Sequence, residues 1–417
     1  MKGKLLYIAC LLITGLLQSC TNEVDDLFDT PAQQRMNEEL MACKTLLTSS
    51  ELGWKLDYYP SSVQSYGGYA MTLKFTDTQV TAASEITGDP AWTVKSLYSL
   101  KADMGPTLNF DSYNEILHYF ADPDNSEGAG LGKGYEGDYE FVIQSHSEDE
   151  IILKGKKTKN LMKMTRLAEP SETYLAAILK LEEQISAIVG ILGYSGTVNG
   201  ENVSISLPSD RRMSIQFGNS LESTGFMYTA TGIKFYQPIT IGGQEVSSLE
   251  WSESSKTFMS GNNLLTPVPD PVYPKYLSFL GEYTMNYFYA SQAKEVNIKL
   301  LPLAYTASTK AYMVEGLPFP LQMYYNPTLD CMEILAYTAD AYYVAMWEVS
   351  GDGYLDWKNG IGLIGKLKKD TDNVYEFVDN GVWGTSKARA IILWSPSGEY
   401  KEFGGDTRFQ DIVFTKK

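Results

Sequence analysis

The chain has 417 residues, with 34 basic against 51 acidic side chains and a formal net charge of −17 at pH 7. That balance repels nucleic acid phosphates and disfavours a basic patch for an anionic membrane. The length allows two or three domains, and the 29 tyrosines and 7 tryptophans favour strands.

Lys2 and Lys4 precede an apolar run from Leu5 to Leu17, and Leu17-Gln18-Ser19-Cys20 closes the segment. A charged start, a short apolar core and a small residue before the cut describe a signal peptide over residues 1–19. The run falls short of the roughly 20 residues of a membrane-spanning helix. Leu17 and Ser19 before the cut and Cys20 after it resemble the bacterial lipobox, in which lipid is attached to the cysteine sulfur. Cleavage removes Lys2 and Lys4 and no acid, leaving 32 basic against 51 acidic residues and a net charge of −19.

Residues 20–30 read as a tether, because the polar, acidic stretch from Thr21 to Asp26 cannot bury enough apolar surface to order itself. Acidic residues so soon after the lipidated cysteine resemble the export signal of Bacteroidota lipoproteins that are flipped to the cell surface. The expected location is the outer membrane, lipid-anchored and surface-exposed. Cys10 leaves with the signal, so Cys43 and Cys331 are the thiols left beside the acylated Cys20. Two distant cysteines make no disulfide framework, and both are expected as buried small hydrophobes.

Thr30-Pro31 reads as an N-cap followed by proline at the first helical position. Met36, Leu40, Cys43 and Leu47 recur at helical spacing and predict a helix over residues 31–48. From Trp54 the period falls to two. Tyr69, Met71, Leu73 and Phe75 alternate with Ala70, Thr72 and Lys74, and short runs follow at 107–110, 116–120, 139–143, 151–154 and 161–165. A second helix is predicted over 171–189, with Gly190 as its stop.

Alternation resumes with Val203, Ile205 and Leu207, then Met213, Ile215 and Phe217. Closely spaced prolines from Thr266 to Pro271 predict an extended spacer. Further strands are predicted at 296–300, 342–349, 374–377, 389–394 and 412–415. The expected organisation is a helix plus barrel-like domain (31–168), a connecting helix (169–194), a second β region (195–268), a proline-rich linker (269–275) and a C-terminal β domain (276–417). The fold class is mainly β, with lipocalin-like barrels or sandwiches, an N-terminal helix and one connecting helix.

Four stretches carry a family resemblance: Gly53 to Pro60, Gly105 to Pro123, Asp138 to Ile143, and Leu153 to Lys157. They resemble an uncharacterised Bacteroidota surface lipoprotein family classed as a domain of unknown function, well over residues 30–170 and loosely beyond. Members accompany outer-membrane nutrient-uptake systems of the SusC and SusD kind. The resemblance therefore implies such partners, and it supplies no catalytic residues.

The sequence holds two histidines, His118 and His146, and neither H-E-x-x-H nor G-x-S-x-G. His118 reads as a structural residue in a strand, and His146 as part of a polar turn. Gly132, Gly134 and Gly137 satisfy G-x-G-x-x-G, but a strand follows where a dinucleotide site needs a helix N-terminus. A mobile loop is the better reading. Glu136, Asp138 and Glu140 alternate along one stretch and offer the paired carboxylates of a glycoside hydrolase. Tyr139, Phe141 and Ile143 read as the core face, which leaves those carboxylates in water.

Asp122, Asp124, Asn125 and Glu127 offer hard oxygens to calcium, the one cofactor considered. They fail the EF-hand spacing, and a solvated acidic turn is the preferred reading; Asp370, Asp372 and Asn373 form a smaller set of the same kind. Trp347, Tyr354, Trp357 and Trp383, with Tyr342 and Tyr343, are the candidate ligand platform, although each alone is also a candidate core residue. The expected function is a non-catalytic surface accessory or binding protein with a glycan or peptide ligand. A carboxylate hydrolase of surface polymers and a structural or adhesive lipoprotein are the alternatives.

Overall fold

A helix precedes each of three antiparallel barrels in a computed structural model that describes residues 31–125, 128–339, 341–348 and 353–417. The predicted signal peptide, Cys20 and the acidic tether lie outside the described residues, as do Glu127 and Val349. Two compact units divide the chain: one runs to residue 179 and includes residues 210–212 and 224–230, and the other holds the rest.

In the first unit, α1 (Ala32–Thr48) leads into β1 (Trp54–Tyr58), β2 (Tyr69–Phe75), β3 (Gln79–Ser84), β4 (Val94–Ala102), β5 (Pro106–Phe110), β6 (Glu140–His146), β7 (Glu150–Gly155) and β8 (Leu161–Arg166). The strands pair in chain order, and β1 closes on β8 through pairs from Trp54↔Arg166 to Asp57↔Lys163. Alternation decides the faces. Trp54, Leu56 and Tyr58 join Met71, Leu73, Phe75, Phe141 and Ile143 in one core, to which α1 adds Cys43 and Leu47. The Trp54 indole donates to the Leu47 carbonyl at 3.0 Å, fixing helix to strand. Pro31 itself occupies the N-cap position in place of Thr30, so the helix starts one residue later than predicted.

The second helix, α2 (Ser171–Ser186), ends before the predicted Val189, and Gly190 instead takes φ +74° beside the Tyr273 ring. A second barrel follows: β9 (Ile191–Val198), β10 (Glu201–Ser206), β11 (Arg212–Phe217), β12 (Ser220–Tyr228), β13 (Gly232–Ile241), β14 (Gln244–Ser252), β15 (Thr257–Ser260) and β16 (Asn263–Pro269), closed by β16 on β9. The proline segment is therefore not wholly a linker. Thr266 to Pro269 pair with β9, while pairing to β15 stops at Leu265, so the strand has one free edge there. Pro267 and Pro269, two apart, turn their N–H-less positions to the same edge, where a strand tolerates them.

Residues 273–275 of that predicted linker belong to α3 (Tyr273–Ser278). The Tyr276 hydroxyl donates to the Ala311 carbonyl, and the Tyr312 hydroxyl returns a bond to the Tyr276 carbonyl. The two rings stack at 4.6 Å and 7°.

The third sheet has β17 (Gly281–Tyr289), β18 (Gln292–Tyr305), β19 (Lys310–Glu315), β20 (Leu321–Asn326), β21 (Cys331–Leu335), β22 (Tyr337–Thr338), β23 (Tyr343–Trp347), β24 (Leu355–Asp356), β25 (Gly362–Leu367), β26 (Val374–Asp379), β27 (Ala390–Trp394) and β28 (Arg408–Lys416). Pairing of β17 with β28 closes the circuit β17-β18-β19-β20-β21-β25-β26-β28. One edge of β28 is shared: residues 413–415 pair with β26 and residues 408–410 with β27. The wall therefore branches, and β27, β23, β22 and β24 form the side arm.

Local chemistry overrode some strand expectations. Ile116 to Phe120 is a turn that passes into a single 3-10 turn over Tyr119–Ala121, because the Asn114 side-chain oxygen accepts from both Ile116 N and Leu117 N and competes with a ladder. Ile116, Leu117 and Phe120 are all buried, which mimicked a strand face. Tyr139 is exposed rather than core, and its ring stacks on His118 at 4.9 Å. His146 ends β6 rather than lying in the turn. Cys43 and Cys331 are free and buried. Among the described residues, no helix is long and apolar enough to cross a membrane.

Candidate functional site

The side arm of the third barrel has two faces set by its register. Val344 and Met346 of β23, Ile391 and Leu393 of β27, and Phe409 of β28 point into the barrel core. Their neighbours point out, and cross-strand pairing aligns Tyr343 with Trp394, Ala345 with Ile392, and Ile392 with Arg408. Ala345 and Ile392 are fully buried although they face away from the core, so the aromatic side chains around them form a cover.

Tyr343 and Trp357 stack at 5.0 Å with 10° between their planes, and Trp357 remains 41% exposed. Trp394 meets Tyr400 edge-on at 5.0 Å, and Tyr400 is exposed. The Arg408 guanidinium lies 4.4 Å from the Trp347 ring centre, and Gly353 presses against that ring. A Cβ at Gly353 would meet the Trp347 indole nitrogen at 2.9 Å, and its φ of +70° also favours glycine. The Tyr354 carbonyl accepts from Glu348 N while its ring is exposed. The result is an aromatic surface with a cation at one end.

The structure thus joins Tyr343 and Trp357 and places Trp347 under Arg408. It does not join the other candidates. Trp383, between β26 and β27, packs against the barrel core, and Tyr342 is a core residue whose hydroxyl donates to the Pro320 carbonyl. Trp394, Tyr400 and Arg408 escaped sequence reading. The inverted order of Tyr343-Ala345-Trp347 against Trp394-Ile392-Ala390 is the antiparallel signal that relates them.

The remaining candidates have structural duties. Asp138 is buried, contrary to expectation, and its carboxylate accepts from Lys157 N, Thr158 N and the Thr158 hydroxyl. Glu140 pairs with Lys156, and Glu136 accepts from Ser61. The three carboxylates do not share one water-facing strand face. The Asp122 carboxylate accepts from Asp124 N and the Tyr113 hydroxyl, which ties its two oxygens into the loop. Asn125 N donates to the Asp122 carbonyl, and Asn373 caps the Lys416 carbonyl. His118 Nδ1 lies 3.2 Å from both backbone atoms of Asn114, and burial draws the imidazole below its ordinary range. Gly132 and Gly134 take positive φ in a loop that leads into β6, with no helix to receive a pyrophosphate.

A cavity of about 380 Å³ in the same unit is lined by Lys275, Phe279, Asp330, Cys331, Lys366 and Tyr375. It shares none of the outer aromatics, and Lys275 and Asp330 pair with each other in its wall. Burial pushes the Cys331 thiol up to about 11, which makes it inert at neutral pH.

Three helix-led antiparallel barrels define a class of β-barrel proteins, here with an outward aromatic face on the third barrel. The chain belongs to a family described as a domain of unknown function (DUF4302), which matches residues 24–253. The match ends before the third barrel. No curated protein matches. Among solved structures, the beta subunit from DNA polymerase of Streptococcus pyogenes is similar at 10% identity over 92% of this chain and 97% of that chain, with a TM-score of 0.10. A likeness that slight carries no argument.

Proposed function

We propose that the protein is a lipid-anchored cell-surface binding protein of a nutrient-uptake system, holding a glycan on the side arm of the third barrel without turnover. The stacked, partly exposed Tyr343–Trp357 pair carries this reading. A sugar ring has an apolar face that stacks on an aromatic plane, while its hydroxyls bond nearby polar groups. A pair already stacked loses little side-chain freedom on binding. The carboxylates considered for the hydrolase alternative are held by structural partners: Glu136 by Ser61, Asp138 by Lys157 and Thr158, and Glu140 by Lys156.

Glycan and peptide arrays with purified residues 21–417 test the reading. Trp357→Ala should weaken the hit at least tenfold, since truncating a central aromatic anchor costs about 2 kcal/mol or more. The melting temperature should not move. Binding that survives the substitution, a peptide hit in place of a glycan, or release of reducing sugar would each overturn it.

The anchor is tested separately. Its support is the lipobox-like Leu17-Gln18-Ser19-Cys20, and the resemblance to surface lipoproteins adds the SusC- and SusD-type neighbours. Cys20→Ala should abolish incorporation of labelled fatty acid and release the protein from the membrane fraction. Stable anchoring takes more than one chain, so the wild type should carry several. Protease added to intact cells should degrade it, and full protection would place it on the inner side.

A further inference from the structure

A bulge in β6 assembles a second constellation, in the first barrel. Ile143 pairs with Leu153, whereas Ser145 pairs with Ile152 and His146 with Ile151, which leaves Gln144 as the extra residue. Side chains alternate along a strand, so one inserted residue reverses the faces beyond it. Without the bulge, His146 would lie opposite the face of Phe141 and Ile143. With it, His146 shares the face of Ile151, a core residue, and so turns towards α1.

On α1, Glu39 and Cys43 stand four residues apart and therefore one above the other on the same face. His146 Nε2 lies 2.8 Å from Glu39 Oε1, and Cys43 Sγ lies 3.9 Å from that oxygen. One ligand atom from each residue can be chosen so that all three lie within 4.8 Å of one another. Cys43 is buried, the His146 side chain is 25% exposed and that of Glu39 is 46% exposed, so the trio runs from the core to solvent.

We propose that Glu39, Cys43 and His146 bind a borderline-soft divalent cation, with Zn2+ the representative ion. Sulfur, nitrogen and carboxylate oxygen together suit zinc, whereas calcium and magnesium take oxygen ligands. Tetrahedral zinc sets its nitrogen and oxygen ligands about 3.4 Å apart, and pairs that include sulfur about 3.6 Å apart. The N···O pair would open and the S···O pair would close, each by well under about 1 Å. On binding, the thiol proton passes to water and the thiolate takes its place on the metal. A nucleophilic Cys–His pair is the competing use of these residues, and it fails on contact: the thiol faces the carboxylate. The cation would fasten α1 to the rim of the barrel.

Cobalt(II) titration of purified residues 21–417 tests this, because cobalt on a thiolate gives a charge-transfer band in the near ultraviolet. One equivalent should produce the band, and zinc should raise the melting temperature by mass action. Cys43→Ser should lose the band. His146→Ala, at the barrel rim and outside the core, should stay folded and lose at least about tenfold in affinity, the loss that even outer partners of a metal site cause. Absence of the band in the wild type overturns the proposal. So does a band or a zinc-induced stabilisation that survives His146→Ala unchanged.

Discussion

Arg211→Met should destabilise the first unit by about 3–5 kcal/mol, the cost of breaking a buried ion pair from one side. Arg211 and Glu85 have side chains only 8% and 1% exposed. Arg211 Nη1 donates to Glu85 Oε1 at 3.1 Å and Nη2 donates to Oε2 at 3.2 Å, a bidentate geometry that lysine lacks. Arg211 also donates to the Gly68 carbonyl at 2.9 Å and lies 4.3 Å from the Tyr69 ring centre and 4.8 Å from that of Tyr228. Glu85 accepts from Ala70 N at 2.6 Å.

Methionine keeps much of the volume but strips the counter-charge from a carboxylate that water does not reach. Glu85→Gln combined with Arg211→Met should therefore recover part of the loss, because no charge is then stranded. Urea unfolding of the two singles and the double measures the coupling. A cost below about 1 kcal/mol for Arg211→Met would put the pair in the class of surface salt bridges and refute the argument.

Asp138→Ala should cost about 3 kcal/mol, because hydrogen bonds to a charged group contribute about 1.5–3 kcal/mol each and their donors would be left buried. Its carboxylate accepts from Lys157 N at 2.5 Å and Thr158 N at 3.0 Å, besides the Thr158 hydroxyl. Its backbone is tied as well: Tyr58 Oη accepts from Asp138 N and donates to the Asp138 carbonyl, each at 2.9 Å. Asp138 thus clamps the entry to β6 against the turn after β7. Asp138→Asn keeps one acceptor oxygen and should fall between wild type and alanine. Thermal melts rank the three. Equal stability of alanine and wild type would mean that those donors find water, and the clamp would have to be abandoned.

Local period was the part of this fold open to reading from the chain. Val203 with Ile205, and Met213 with Ile215, alternate because one strand face meets a core, and that pattern needs no knowledge of partners; Tyr69 to Phe75 alternates in residue type in the same way, although Ala70 and Thr72 on its other face are buried too. The apolar spacing of Leu40, Cys43 and Leu47 marked α1 for the same reason. The mainly β class followed, with its entry helix and connecting helix.

Pairing between distant residues lay beyond that reach. Closure of β1 on β8, and the branching of the third wall at β28, choose barrels over sandwiches through partners that no local pattern specifies. The same holds for the sites. Trp357 and Tyr343 were visible as residue types, but Trp394 and Arg408 joined them only through register. Asp138 looked exposed by alternation, until a turn some 20 residues later supplied its donors. His146 looked like a turn residue, until one extra residue in β6 reversed its face. Side-chain period is a property of a segment. Register, bulges and the partners of buried charges are properties of the assembled sheet, and they decide which of these side chains meet.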